Sequence, residues 1–137
     1  ERLDLSKAPN IEILFLASNP QLSSLTLSKY LLSLKTFDTF DTALTSLDLS
    51  LCPNLDFLRV SATPLKNLDV SNNSNLIDVS IERFNGKGLI GEALSQFVES
   101  LPEKKASKKG DIYLSKDQAT EAIKTVLQRK HWNVFEI

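Results

Sequence analysis

Residues 44–76 read LTSLDLSLCPNLDFLRVSATPLKNLDVSNNSNL, one short phrase stated three times. A chain that repeats itself every ten or eleven residues has few folds open to it, because each copy must bury the same side chains in the same way. The phrase is LxxLxLxx followed by Asn, Cys or Thr. Ile11, Leu14, Leu16 and Asn19 fill it, as do Leu22, Leu25 and Leu27 with Tyr30. Leu34, Phe37, Thr39 and Thr42 form a weaker copy. Leu44, Leu47, Leu49 and Cys52 follow, then Leu55, Leu58, Val60 and Thr63, then Leu65, Leu68, Val70 and Asn73. The last copy is Leu76, Val79, Ile81 and Phe84, and Leu3 and Leu5 belong to a copy whose opening residue lies outside the chain. Of the 5 prolines, Pro9, Pro20, Pro53 and Pro64 occupy one slot, just past the turn position. A corner that needs no ladder N–H tolerates proline there.

The x-L-x-L-x centre is a short strand whose alternate residues point inward. The leading leucine joins the same interior layer, and the Asn, Cys or Thr turns the chain and satisfies backbone groups in the bend. An amphipathic helix does not fit, since LxL spacing scatters apolar residues over its faces. This is the leucine-rich-repeat phrase at half its ordinary period of roughly 20–29 residues, so two phrases make one coil of about 21 or 22 residues. The predicted fold is α/β: a right-handed solenoid of short stacked parallel strands, about four coils long, each half-unit giving a strand. The irregular copy predicts a bulge around residues 30–40.

LTSLDLSLCPNLDFLRVS and LKNLDVSNNSNLIDVS resemble bacterial surface leucine-rich-repeat proteins of the internalin-like, Bacteroides type, and the resemblance runs over nearly the whole chain. Only Asn19 and Asn73 stand where such families prefer Asn, which implies an irregular ladder of internal turns. The resemblance implies an exported protein, at the cell surface or extracellular, whose signal is not in this chain. The chain opens inside the repeat phrase without an initiator methionine, as a processed or trimmed piece would.

The phrase stops after residue 85, so residues 1–85 are read as repeat coils and 86–137 as a C-terminal cap of helix, strand, helix and strand, in one continuous domain. Ile90, Ala93, Leu94, Phe97, Val98 and Leu101 space as a helical stripe over residues 89–101, closed by Pro102. Residues 103–110, EKKASKKG, read as a solvated basic loop, since no aromatic residue interleaves the lysines. DIYLS at 111–115 returns to the strand pattern. Ser115 and Gln118 have capping-box spacing before a second stripe of Ala119, Ala122, Ile123, Val126 and Leu127. Trp132, Val134, Phe135 and Ile137 predict a last short strand. A solenoid needs such a cap to cover its final leucines and strand edge, so Phe97, Trp132 and Phe135 are predicted cap core. The resembled family ends in the same way.

Nothing in the chain assembles into catalytic chemistry. His131 is the only histidine and Cys52 the only cysteine, so a histidine-rich metal site, a cysteine cage and an internal disulfide are all excluded. His131 is read as a capping or packing residue and Cys52 as a small buried residue at a bend. The 4 glycines make no phosphate loop, and 16 basic against 17 acidic residues give no reason to expect nucleic acid as partner. No run approaches the roughly 18 apolar residues of a membrane helix. No enzyme, cofactor or metal is expected.

Surface remains. One family of half-units shows Asp4, Asp48 and Asp69 with serines, a hydrated ladder read as solubilising. The other shows Ile13, Phe15, Phe40 and Phe57 with Arg59 beside them. On strands about 4.8 Å apart these would form one apolar patch edged by charge, and exposed aromatics at that density mark an interface. Ile13, Phe15, Phe40, Phe57 and Arg59 are therefore the predicted partner-binding residues. The expected function is non-catalytic recognition of a protein or glycan at the cell surface. Other readings stay open: a structural stalk or spacer with no ligand, a face covered in a longer protein or by a second copy in a homo-oligomer, or a substrate-choosing part of an enzyme whose catalytic domain lies upstream.

Overall fold

The computed structural model describes residues 1–137 and is an α/β fold with parallel strands in two sheets. Six short strands come first: β1 (Arg2–Asp4), β2 (Ile13–Phe15), β3 (Ser24–Thr26), β4 (Thr36–Asp38), β5 (Phe57–Arg59) and β6 (Asp78–Ser80). Helix α1 (Gly91–Ser100), β7 (Gly110–Leu114), α2 (Glu121–Arg129) and β8 (Trp132–Glu136) complete the chain. The larger sheet has the order β2-β4-β5-β6-β7-β8, and β1 and β3 pair separately.

Register follows directly from the repeat. Leu14, Phe37, Leu58, Val79 and Ile112 stand opposite one another on successive strands, and all are buried. A one-residue slip on any strand would turn this column to solvent, so the alternation specifies the pairing. The weak copy at 34–42 keeps step: Leu34, Phe37, Thr39 and Thr42 are all buried. Its extra length is taken up before the strand, where Leu31 is buried while Tyr30 and Leu32 stay exposed.

Turns between strands are closed by side chains that bond backbone carbonyls, within the same bend or one coil back. Asn73, fully buried, donates from Nδ2 to the carbonyls of Leu49 (2.9 Å) and Cys52 (2.8 Å), 24 and 21 residues earlier. Thr63 Oγ1 donates to Val60 O in the equivalent bend. Past the strands, Ser18, Asp41 and Ala62 take left-handed φ values of 60°, 52° and 57°, and their N–H groups reach the carbonyls of Phe40, Ser61 and Glu82, each two residues past the next strand.

One expectation fails on the second side of the fold. A strand in every half-unit was expected, but 46–50 and 67–71 make no ladder, and only β1 and β3 pair there. Backbone donors are taken locally instead. Asp48 and Asp69 accept the N–H of Ser50 (2.9 Å) and Ser71 (2.8 Å), and Val70 N–H turns to Ser100 Oγ on α1. The aspartates read as solubilising rungs thus also close turns at the strand ends, as Asp4 does with Ser6.

The cap shares the core. A cluster of 29 buried side chains runs without a break from Leu14 through Leu76 and Val79 to Phe97, Leu127 and Trp132. Helix α1 buries Leu94, Phe97 and Val98, and α2 buries Ile123 and Leu127. Ser115 and Gln118 do not cap α2: Thr120 does, its side chain accepting from Ile123 N–H. Gln118 is a buried tie instead. Its amide donates to Ile81 O (2.9 Å) and Leu89 O (2.8 Å), and its Oε1 accepts from Ser115 N–H (2.9 Å). His131 ends α2 with φ 61° and its N–H on Gln128 O. Phe97 and Trp132 are cap core, but Phe135 is 43 % exposed and corrects the expectation for it. Strand alternation is the reason: Trp132 points inward from β8, and Phe135, three residues on, points outward. No helix is long and apolar enough to cross a membrane.

Candidate binding face

The outward residues of the six-stranded sheet form two columns set by register. Ile13, Thr36, Phe57, Asp78, Asp111 and Asn133 make the first; Phe15, Asp38, Arg59, Ser80, Tyr113 and Phe135 make the second. The middle of this face is a shallow groove of about 600 Å³. Phe15, Phe57 and Tyr113 supply its aromatic walls, and Asp38, Arg59, Asp78 and Glu82 its charge.

Four of the five residues expected here lie on the strands themselves: Ile13 and Phe15 on β2, Phe57 and Arg59 on β5. Phe40 lies two residues past β4. They do not form one apolar patch. Ile13 and Phe15 are 58 % and 66 % exposed, but Thr36 and Asp38 on β4 stand between them and β5. Phe40 lies beneath Arg59, whose guanidinium carbon is 4.1 Å from the ring centroid. Arg59 is also paired with Asp38 at 3.6 Å, and Asp38 accepts Phe40 N–H at 2.8 Å. The expected patch is therefore divided: an aromatic edge on β2, a self-contained Arg59–Asp38–Phe40 group, and Phe57 open to the groove.

Tyr113, Phe135, Asp78, Glu82 and Asp111 were not among the expected residues. Tyr113 and Phe135 stack with centroids 5.0 Å apart and rings inclined by 19°, which carries the aromatic face onto the cap. Their position was accessible from the alternation in DIYLS and WNVFE, where Tyr113 and Phe135 flank inward Ile112, Leu114 and Val134. Asp78 and Asp111 stand opposite each other on β6 and β7. Asp111 accepts from Asn133 Nδ2 at 2.8 Å, and Glu82 accepts from the Ser61 hydroxyl.

No protein-family model matches the chain, and no curated protein matches it either.

Burial, and then the neighbouring Asp111, hold the Asp78 carboxyl above the usual carboxylate range. Tyr113 is raised as well, first by desolvation and then by Asp78, Asp111 and Glu82. A carboxyl that binds its proton more tightly folded than unfolded costs stability when ionised, and that cost is relieved as pH falls through the raised value. Asp78→Asn is therefore expected to raise the melting temperature at pH 7 and to leave it unchanged at pH 3. Thermal melts at the two pH values test this, and equal melting temperatures at pH 7 would remove the charge from the account.

Burial, reinforced by Asp48, pushes the Cys52 thiol up to about 11, so it is neither thiolate nor nucleophile near neutrality. In the lysine loop Lys104 is partly buried rather than free: it donates to Ser74 O (3.2 Å) and sits 5.9 Å over the Trp132 ring. Burial and then Lys108 lower its pKa. Lys35, Lys104, Lys105 and Lys108 border a second hollow of about 670 Å³ that holds two acids, Asp56 and Glu103, and only two apolar residues, Leu32 and Ile77.

Proposed function

We propose that the chain is a leucine-rich-repeat solenoid of about four coils with an α/β cap, and that it is a non-catalytic recognition module. In this reading it belongs to an exported bacterial surface protein of the internalin-like type and binds a protein or glycan at the cell surface through the outer face of the larger sheet. One observation carries the binding reading. Phe15, Phe57 and Tyr113 project from every second strand of the larger sheet, β2, β5 and β7, line one groove, and have inward neighbours, Leu14, Leu58 and Ile112, locked in the core. Aromatic side chains held in place before a partner arrives lose little entropy on binding, and such residues dominate interface energetics. The Arg59–Asp38–Phe40 group adds rigidity to the groove wall.

The decisive variant is Phe15→Ser, Phe57→Ser and Tyr113→Ser together. None of the three belongs to the buried core, so a cooperative melt close to that of the unchanged chain is expected. On glycan arrays and against immobilised cell-surface proteins, the signal of the unchanged chain should fall at least tenfold. Retained binding by the folded variant removes the face as the site. If the unchanged chain binds nothing, the stalk or spacer reading replaces recognition.

A further inference from the structure

We infer that the groove receives a cationic segment of a partner protein, with a lysine or arginine side chain laid against Tyr113 among Asp78, Asp111 and Glu82. The inference rests on the recognition reading above and adds the chemistry of the occupant.

Charge complementarity carries it. Five ion pairs occupy Asp38, Asp41, Glu99, Asp117 and Glu136, and none of them involves Asp78, Glu82 or Asp111. None of these three carboxylates has a cationic partner, and they lie around one ring, Tyr113: Asp111 two residues before it on β7, Asp78 opposite Asp111 on β6, and Glu82 just past β6. The single cation lining the groove, Arg59, does not neutralise them, because Asp38 and the Phe40 ring already hold it.

That internal group shows what the remaining half of the groove lacks. At Arg59 a guanidinium lies over an aromatic ring with a carboxylate beside it. At Tyr113 the ring and the carboxylates are present and the cation is not. A bound ammonium or guanidinium would gain the ring's negative face and relieve the repulsion between Asp78 and Asp111. The aliphatic stem of such a side chain would lie along Phe57. An anionic partner would be repelled by all three carboxylates, and a neutral glycan would leave their charge uncompensated.

The test uses the full chain and an acetylated tetralysine amide, with tetraglutamate as its opposite, followed by two-dimensional NMR at low salt. Saturable binding of tetralysine is expected, with shifts concentrated on Phe57, Asp78, Asp111 and Tyr113 and weakened by salt. The double variant Asp78→Asn, Asp111→Asn should bind about tenfold more weakly, while Glu92→Gln with Glu103→Gln, exposed acids far from the groove, should bind as the unchanged chain does. Shifts scattered over other acidic residues, equal binding of tetraglutamate, or equal affinity of the two double variants would overturn the inference. The recognition reading is judged separately. If the triple serine variant loses a glycan or protein ligand that the Asp78→Asn, Asp111→Asn variant still binds, the face is a site and its occupant is not cationic. If neither variant affects that ligand, both readings fall.

Discussion

Replacing Gly110 by valine is expected to destabilise the chain by about 3 kcal/mol or more, with the damage centred on the cap. Gly110 opens β7 opposite Trp132 on β8, and the indole lies directly on it. A Cβ at this position would meet Cε3 and Cζ3 of the ring at 2.6 Å and Cδ2 at 2.9 Å, separations that side chains do not adopt. The ring has nowhere to go. Trp132 is buried and its Nε1 donates to Pro102 O at 2.9 Å, so moving it breaks that bond and opens the core beneath α2. Denaturant unfolding followed by tryptophan fluorescence reads both effects, because the native emission should shift to the red as the single tryptophan becomes wet. A second change decides the cause. In a Trp132→Leu background, Gly110→Ala should cost far less than it does alone; an unchanged penalty would place the glycine's importance in its backbone rather than in the space it leaves.

Gln118→Leu is the other large effect, on the order of 3 kcal/mol, although the new side chain has nearly the same volume. Four hydrogen bonds depend on the amide, the two it donates to Ile81 O and Leu89 O being buried. Losing it strands the carbonyls of Ile81 and Leu89 and the N–H of Ser115 without partners, and an orphaned buried group costs about 1–3 kcal/mol. Leu89 and Ile81 flank the point where the repeat phrase gives way to α1, so the expected consequence is local. Amide exchange over residues 81–90 should accelerate more than exchange in β4 and β5. Uniform acceleration, or a loss below 1 kcal/mol, would mean that water or relaxed backbone replaces the amide.

Most of the strand geometry was legible because it needs only parity. Once Leu14, Phe37, Leu58 and Val79 are taken as inward, register and the two outward columns follow, including Phe57 and Arg59. Asn73 was legible as a turn residue for the same reason: its place in the phrase puts it inside the bend. What parity does not determine is which outward residues meet. Thr36 and Asp38 divide Ile13 and Phe15 from Phe57 because an intervening strand supplies its own pair, and Arg59 folds over Phe40 because Asp38 draws it there. Phe135 went into the predicted core on hydrophobicity although the spacing from Trp132 turns it out.

The missing ladder on the second side was not legible at all. Asp48 carries the same L-D-L pattern as β1 and Asp69 the near-identical L-D-V, so the pattern alone does not separate the paired segments from the unpaired ones. The left-handed corners at Ser18, Asp41 and Ala62 are equally silent, since none is a glycine. Gln118 gave a capping-box spacing that a different residue, Thr120, fulfils; its own role depends on carbonyls 37 and 29 residues earlier.

The bonds between successive turns also bear on how such a surface could change in size. Thr36, Phe57 and Asp78 stand side by side, and the stitches from Asn73 to Cys52 and from Ser61 to Glu82 span the same 21 residues. Backbone pairing in the larger sheet joins each strand only to its immediate neighbours. Duplicating one 21-residue segment would therefore add one strand in register and widen the outer face by roughly 4.8 Å. Breadth of the surface is adjustable by copying, whereas its chemistry is adjustable by single substitutions at outward positions, and the two can vary independently.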